Sequence, residues 1–144
     1  DGSWDNCGIV DLSLSQTEFD CSHIDGVWPV TLTAVDAAGN QASCDADVTV
    51  LFPAPIAVCY PTRTVKLGSD GFANIVAYQL DSVSYSPPGS DLTFEASQTL
   101  FSCNDLGSNT VYLTVTDVCG QSDVCSSTVI VIDTIVPTIV CPAD

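Results

Sequence analysis

The chain has 144 residues, with 18 acidic residues against two basic ones and a net charge of −16. Because phosphate binding needs clustered lysine and arginine, this composition excludes nucleic acid as a partner, and it disfavours anionic lipid surfaces. Apolar residues make up 46% of the chain, which predicts a folded core rather than disorder. No apolar run reaches the ~18 residues of a membrane helix, so we expect no direct membrane insertion.

Six segments predict strands, because they are rich in β-branched residues and most alternate between apolar and polar positions. Turn signals such as GSDG, DAAGN and DVCGQ separate or follow them. The stretch 75–83 comes nearest to a helix, and a short turn fits it equally well. The pattern predicts an all-β fold of tandem immunoglobulin-like antiparallel β-sandwiches. In chain order the predicted strands are 30–35, 47–52, 63–67, 72–78, 110–116 and 127–132.

The second half of the chain repeats the first. Four blocks recur in the same order about 82 residues later, which indicates a tandem repeat. In this frame, residues 1–52 are the C-terminal part of one repeat, 53–134 a complete repeat, and 135–144 the first strand of a following repeat. We therefore expect an excerpt of a longer array, or a unit completed by strands from its neighbours. The matched blocks are FDCS (19–22) with FSCN (101–104), VTLTAVDAAG (30–39) with VYLTVTDVCG (111–120), CDADVTV (44–50) with CSSTVIV (125–131), and PIAVC (55–59) with PTIVC (137–141).

Eight cysteines, one histidine and no methionine predict an oxidising compartment. A zinc site is disfavoured, because such sites use closely spaced cysteine pairs or a nearby histidine. The closest pair, Cys119 and Cys125, has five residues between its members. The opening DGSWDNCG is polar and does not resemble a signal peptide, so export is inferred from the thiols.

Two of the predicted disulfides come from a difference between the repeats. Cys7 has Gly89 at its counterpart position, whereas Cys119 stands where the first repeat has Ala38. The second repeat thus lacks one cysteine and has another in a different place. We interpret the two positions, Cys7 and Cys119, as alternative partners for equivalent cysteines, Cys21 in the first repeat and Cys103 in the second. This interpretation predicts the bridges Cys7–Cys21 and Cys103–Cys119.

Two of the remaining thiols lie near the ends of the complete repeat. Cys59 opens it and Cys125 starts its last strand, and first and last strands of a sandwich often lie side by side, so Cys59–Cys125 is the predicted bridge. Cys44 and Cys141 are then expected to form disulfides to neighbouring repeats, before residue 1 and after residue 144. The alternative is a Cys44–Cys59 bridge across the linker.

No pattern typical of catalysis is present. His23 has Asp25 two residues away, but hydrolysis of the Ser-His-Asp type also needs a nucleophile within reach of an oriented base. We expect a histidine on the surface and no enzyme.

The candidate metal ligands are acidic turn residues. Asp36 and Asp117 each precede a turn glycine, and the preferred interpretation is that each carboxylate accepts turn amide hydrogens. The alternative is a Ca²⁺ site completed by Asn40, Asp5 or Asp133, since calcium takes six to eight oxygen ligands.

Aromatic residues provide the other candidate surface. Paired aromatic rings on one face can stack on sugars, but their spacing here is irregular, so core or linker packing is the preferred interpretation. The six residues are Trp4, Trp28, Tyr60, Tyr78, Tyr85 and Tyr112.

Several of these blocks resemble hyalin-type (HYR-like) immunoglobulin-like repeats of large Bacteroidota cell-surface adhesins of the gliding-motility type. They are DNCGI (5–9), FDCS (19–22), VTLTAVDAAGNQASCDADVTV (30–50) and PTIVCP (137–142). The resemblance implies secretion by the type IX route and display on the outer cell surface as a long filament. Gly89 and Cys119 depart from the family pattern, which affects only the pairing of the disulfides.

We therefore predict a structural segment of a secreted adhesin or filament. It would act as a disulfide-stapled stalk that displays adhesive or motility elements, with neighbouring repeats of the same protein as its partners. The alternative is a carbohydrate-binding module, with surface polysaccharide as its ligand. A repeat of this kind indicates a class of role and not a particular ligand.

Overall fold

A computed structural model of the chain describes residues 2–141. It is all-β: within this range there are β-strands and short 3₁₀ turns but no α-helix. The chain divides into two compact units, which we call unit 1 (Asp1–Phe52) and unit 2 (Pro53–Asp144).

Unit 1 contains a three-stranded antiparallel sheet in the order β1-β2-β3. Its strands are β1 (Ile9–Leu14), β2 (Val27–Asp36) and β3 (Gln41–Thr49). A 3₁₀ turn at Cys21–His23 leads into β2. The predicted strand at 30–35 lies within β2. Strand β3 begins six residues before the predicted strand at 47–52, because residues 41–46 pair with residues 30–35 of β2.

Unit 2 contains a four-stranded sheet and a two-stranded sheet, an arrangement consistent with a β-sandwich. The four-stranded sheet has the order β4-β9-β8-β6, and β5 pairs with β7 in the other. The bounds are β4 (Thr62–Lys66), β5 (Phe72–Asn74), β6 (Leu92–Ala96), β7 (Leu100–Ser102), β8 (Gly107–Asp117) and β9 (Ser122–Ile132).

One strand pair in unit 2 departs from the predicted antiparallel arrangement. The first strand, β4, lies beside the last strand, β9, but the two run parallel. After β4 the chain crosses to the two-stranded sheet at β5 and again at β7. It returns to the larger sheet at β6 and at β8, and its last strand, β9, points the same way as β4. The expectation of a wholly antiparallel sandwich is therefore wrong at this pair.

The core of unit 2 lies between its two sheets. Alternate residues of β8 and β9 face inward, as the period-two pattern predicts, and the segment before β6 together with β7 covers them. The buried cluster is Leu67, Ala73, Ile75, Leu80, Phe101, Val111, Leu113, Val115, Val129 and Val131.

Several details differ from the sequence-based prediction. Strands β1, β6 and β7 lie outside all predicted segments. The ambiguous stretch 75–83 contains a 3₁₀ turn at Ala77–Gln79. Residues 135–141 form no strand, and the rest of the strand predicted at 135–144 lies outside the described residues.

The buried Ser127 in β9 generates a prediction about stability. Its side chain is 2% exposed, it lies opposite Val111, and its Oγ has no hydrogen-bond partner among residues 2–141. A buried hydroxyl without a partner is destabilising, so Ser127→Ala should raise the free energy of unfolding by about 1 kcal/mol in urea titrations. The exposed neighbour Ser126→Ala is the matched control and should change it little. A loss of stability in Ser127→Ala would contradict this account.

Candidate functional site

One predicted disulfide is confirmed. Cys59 and Cys125 are joined, with their Cα atoms 5.6 Å apart and 66 residues of sequence separation. Cys125 lies on β9 opposite Leu113 of β8, and Cys59 is held just before β4 by a backbone bridge to Asp81. The bond therefore attaches the first segment of unit 2 to its last strand.

Hydrogen bonds also hold the two residues that precede Cys59. Asp123 at the start of β9 accepts a hydrogen bond from the Ala57 backbone N–H through Oδ2 (2.9 Å). The Ser84 hydroxyl accepts one from the Val58 N–H (2.8 Å). The bond from Ala57, followed by that from Val124, lowers the pKa of the Asp123 carboxyl below its usual value, because both bonds favour the charged form.

The other two predicted bridges are wrong. Cys7 and Cys103 are exposed free thiols, and their predicted partners, Cys21 and Cys119, are not among the free thiols. In unit 2 the reason is the length of β8. Cys103 precedes this 11-residue strand and Cys119 follows it, so roughly 30 Å of strand separates the two thiols, far beyond the ~7 Å limit for Cα atoms in a disulfide.

The same geometry applies in unit 1. Because Ile9 pairs with Asp36, Cys7 lies near the C-terminal end of β2, whereas Cys21 precedes the N-terminal end. Cys7 and Cys119 thus lie at corresponding strand ends, as the sequence comparison predicts, but the partners proposed for them lie at the opposite ends.

Cys44 and Cys141 are also exposed free thiols in the described structure. The alternative bridge Cys44–Cys59 is wrong, since Cys59 is joined to Cys125. Cys44 lies opposite Leu32 on β2, which is the register that Cys125 has with Leu113.

The carboxylates of Asp36 and Asp117 have the same local role. Asp36 Oδ1 accepts the backbone N–H groups of Ala38 and Asn40, each at 2.8 Å, and Asn40 Nδ2 donates to Oδ2 (2.7 Å). The side-chain bond from Asn40 is the main reason that the pKa of Asp36 is lowered. Both carboxylates therefore stabilise a hairpin turn.

The turn of unit 2 repeats these bonds. Asp117 Oδ1 accepts the N–H groups of Cys119 and Gln121, each at 2.9 Å. Gly39 and Gly120 have φ values of +87° and +80°, a conformation that favours glycine at both turns.

The remaining candidate calcium ligands are also engaged locally. Asp5 Oδ1 accepts the Cys7 N–H (2.8 Å), and Asp133 Oδ1 accepts the Ile135 N–H (2.9 Å). Within residues 2–141 no group of three or more histidine, cysteine or acidic residues could hold a metal ion. The geometry thus favours turn capping over calcium at these positions.

His23 is not the surface histidine that we expected. Its side chain is 18% exposed and its Nδ1 lies 2.8 Å from Asp20 Oδ1, so Asp20 rather than Asp25 orients the ring. The ring packs edge-on against Phe19 and Trp28, with centroids 5.4 and 4.5 Å away, and Trp28 Nε1 donates to the His23 carbonyl (2.8 Å). These contacts give His23 a packing role in unit 1.

The six candidate aromatic residues have different surroundings. Trp28 packs against His23, and Tyr60 lies under the Arg63 guanidinium at 3.7 Å from the ring centroid. These contacts join an aromatic residue to a histidine and to an arginine, not to another of the six. More than half of the surface of Trp4, Tyr78 and Tyr112 is exposed, and half of that of Tyr85.

The sequence reasoning missed a groove in unit 1. It has a volume of about 300 Å³ and is lined by Trp4, Leu32, Ala34, Ala42 and Cys44, among others. Leu32 and Ala34 alternate along β2 and are cross-strand partners of Cys44 and Ala42, so these four residues share one face of the sheet. The alternation at 30–35 could have predicted this apolar face. It could not have predicted that the face is accessible to solvent and not covered by a second layer.

No family model matches the chain, and no curated protein matches it. Among solved structures, the chain is similar to an endo-fucoidan hydrolase of glycoside hydrolase family 107, at 14% identity and a TM-score of 0.35. The match covers 85% of this chain and 28% of the hydrolase chain, so the chain spans less than a third of that protein. A likeness this weak supports no conclusion about function. Separately, none of the helices in residues 2–141 is long and apolar enough to span a membrane.

The Cys59–Cys125 disulfide should contribute strongly to the stability of unit 2. Because it closes a 66-residue loop, the double variant Cys59→Ala/Cys125→Ala should lose about 4 kcal/mol of unfolding free energy in the chain-entropy model. Denaturant titration followed by intrinsic fluorescence measures the change. Cys44→Ala, which removes a free thiol, is the control and should have little effect. A loss below about 1 kcal/mol in the double variant would contradict the proposed contribution.

The lowered pKa of Asp123 predicts a dependence on pH. A carboxyl whose folded pKa lies below its unfolded value, about 3.9, stabilises the fold above that value, and the contribution disappears as the pH falls through the folded pKa. Asp123→Asn should therefore lower stability at pH 7 and weaken the loss of stability below about pH 4. Urea unfolding at several pH values measures both effects, with Ser122→Ala as the neutral control. An unchanged acid dependence in Asp123→Asn would refute this role.

Proposed function

We propose that the chain is a structural repeat segment of a secreted cell-surface adhesin or filament, and that it acts as a disulfide-stapled stalk. The observation that carries this proposal is the Cys59–Cys125 bond, which joins the first segment of unit 2 to its last strand. A covalent link in this place suits a protein that bears load, because tension cannot separate the two segments without breaking it. The eight cysteines also favour a folding compartment outside the cytosol.

Correspondences between the units support a repeated architecture. Strands β1-β2-β3 of unit 1 have the order that β6-β8-β9 have in unit 2. The Asp36 and Asp117 turns share the same hydrogen bonds, and the 3₁₀ turns at Cys21–His23 and Cys103–Asp105 precede corresponding strands. Repeats of one design stack into elongated arrays, and neighbouring repeats are then the direct partners of this segment.

The proposed stalk projects adhesive or motility elements from the outer cell surface. Its acidic surface supports this role, because a net charge of −16 keeps extended arrays soluble and apart. The resemblance to hyalin-type repeats of surface adhesins points to the same class of role.

Single-molecule pulling tests the mechanical role. In oxidised protein the residues between Cys59 and Cys125 should stay out of the extending chain, because the disulfide carries the load. Reduction should release them and lengthen the contour increment of unit 2 by about 230 Å, from the sequence separation of 66 residues at ~3.5 Å per residue. Oxidised Cys59→Ala/Cys125→Ala protein, as the control, should give the long increment without reductant. Equal increments in oxidised and reduced wild-type protein would refute the load-bearing role.

A further inference from the structure

The sheet of unit 1 has an open apolar face where unit 2 has its core. On β8, Leu113 and Val115 are completely buried. Their counterparts on β2, Leu32 and Ala34, are only partly buried. On β1 the exposure is larger: Leu12 and Leu14, the cross-strand partners of Ala34 and Leu32, are 46% and 50% exposed.

A defined segment covers this face in unit 2. Residues 53–82 supply four members of the buried cluster, namely Leu67, Ala73, Ile75 and Leu80. Unit 1 contains Phe19 at the counterpart position of the buried Phe101, but residues 1–52 contain no counterpart of 53–82. Within residues 2–52, unit 1 therefore lacks the layer that covers the sheet of unit 2, although Val30 at one end of the face is buried.

The two units also differ in the state of equivalent cysteines on their last strands. Cys125 of β9 is bonded to Cys59, which belongs to the covering segment. Cys44 of β3 has the same register with its neighbouring strand, and its thiol is free and exposed. It also lines the groove of about 300 Å³ on the open face, so the bond-forming group and the apolar surface lie together.

The outer edge of the unit 1 sheet is open to a further strand. In unit 2, β4 pairs with β9. The counterpart of β9 is β3, which pairs only with β2 within the described part of unit 1. A strand with the pattern of β4 can therefore pair with the outer edge of β3.

We infer that unit 1 binds, on this open face, a chain segment that has the apolar residues and the cysteine of residues 53–82. The segment adds a strand to the free edge of β3 and covers Leu12, Leu14 and Leu32 with apolar side chains. A cysteine at the position of Cys59 then forms a disulfide with Cys44. The inference rests on the proposed function, since it names the segment that completes one repeat of the array.

The covalent step needs an oxidant. The two thiols lose two protons and two electrons as their sulfurs join, and one molecule of a small disulfide such as oxidised glutathione accepts them and becomes two thiols. The exposure of Cys44 makes its thiol accessible to this exchange.

An extended chain tests the inference. A second copy of residues 53–82 is placed directly before Asp1, so that it continues into unit 1 as the natural segment continues into Val83. The added copy carries Ala54→Gly, which gives its peptides a distinct mass. After refolding in a glutathione buffer, peptide mapping without reductant should show Cys44 joined to the cysteine of the added copy, and the reactivity of Cys44 toward a maleimide should fall at least tenfold compared with the unextended chain. Unchanged reactivity of Cys44 overturns the inference.

A second variant separates apolar recognition from the mere presence of a thiol. Leu67→Asp and Leu80→Asp in the added copy keep its cysteine but should restore the reactivity of Cys44. If the disulfide forms equally well in this variant, the open face does not select its partner and the inference is overturned. The result is independent of the pulling experiment, because that experiment concerns Cys59–Cys125 of unit 2 and this one concerns Cys44 of unit 1.

Discussion

The attachment of the first segment of unit 2 to its last strand is the constraint on which the rest of the unit depends. The Cys59–Cys125 bond and the hydrogen bond from Ala57 to Asp123 place residues 53–82 against the four-stranded sheet. With this segment in place, inward side chains of β8 and β9 such as Leu113 and Val129 are completely buried. The hydrophobic gain and the covalent link therefore stabilise the same arrangement.

The two units show that an alternating pattern does not by itself make a core. VTLTAV and VYLTVT alternate in the same way and form strands with the same neighbours. Nevertheless, Leu113 is fully buried and Leu32 is only partly so. A strand pattern defines which face is apolar, whereas burial depends on a second layer, which unit 2 forms and unit 1 lacks within the described residues.

The sequence predicts the central strands and the edge strand β4 well, since 63–67 matches its bounds within one residue, and it misses several other strands. The segments 110–116 and 127–132 are rich in β-branched residues and lie inside β8 and β9. By contrast, the prediction misses β6, although its five residues LTFEA alternate between apolar and polar. It also misses β7 (LFS), which is too short for a periodic signal and is a strand because its partner supplies the hydrogen bonds. Cys59–Cys125 was predictable from the adjacency of first and last strands. The wrong pairs, Cys7–Cys21 and Cys103–Cys119, failed because matching blocks do not say at which end of a long strand each thiol lies. His23 was misjudged because Asp20, Phe19 and Trp28 surround it only once the turn at Cys21–His23 has formed.

The hairpin turns have one further consequence. In each turn the third residue, Ala38 in unit 1 and Cys119 in unit 2, bonds to the aspartate only through its backbone N–H. The side chain at that position takes no part in the bonds to the aspartate. The residue can therefore change without disturbing the hairpin, so one turn can contain a cysteine at this position and the other an alanine. The same freedom makes the exposed Ala38 a suitable place for attaching a spectroscopic probe or a surface tether.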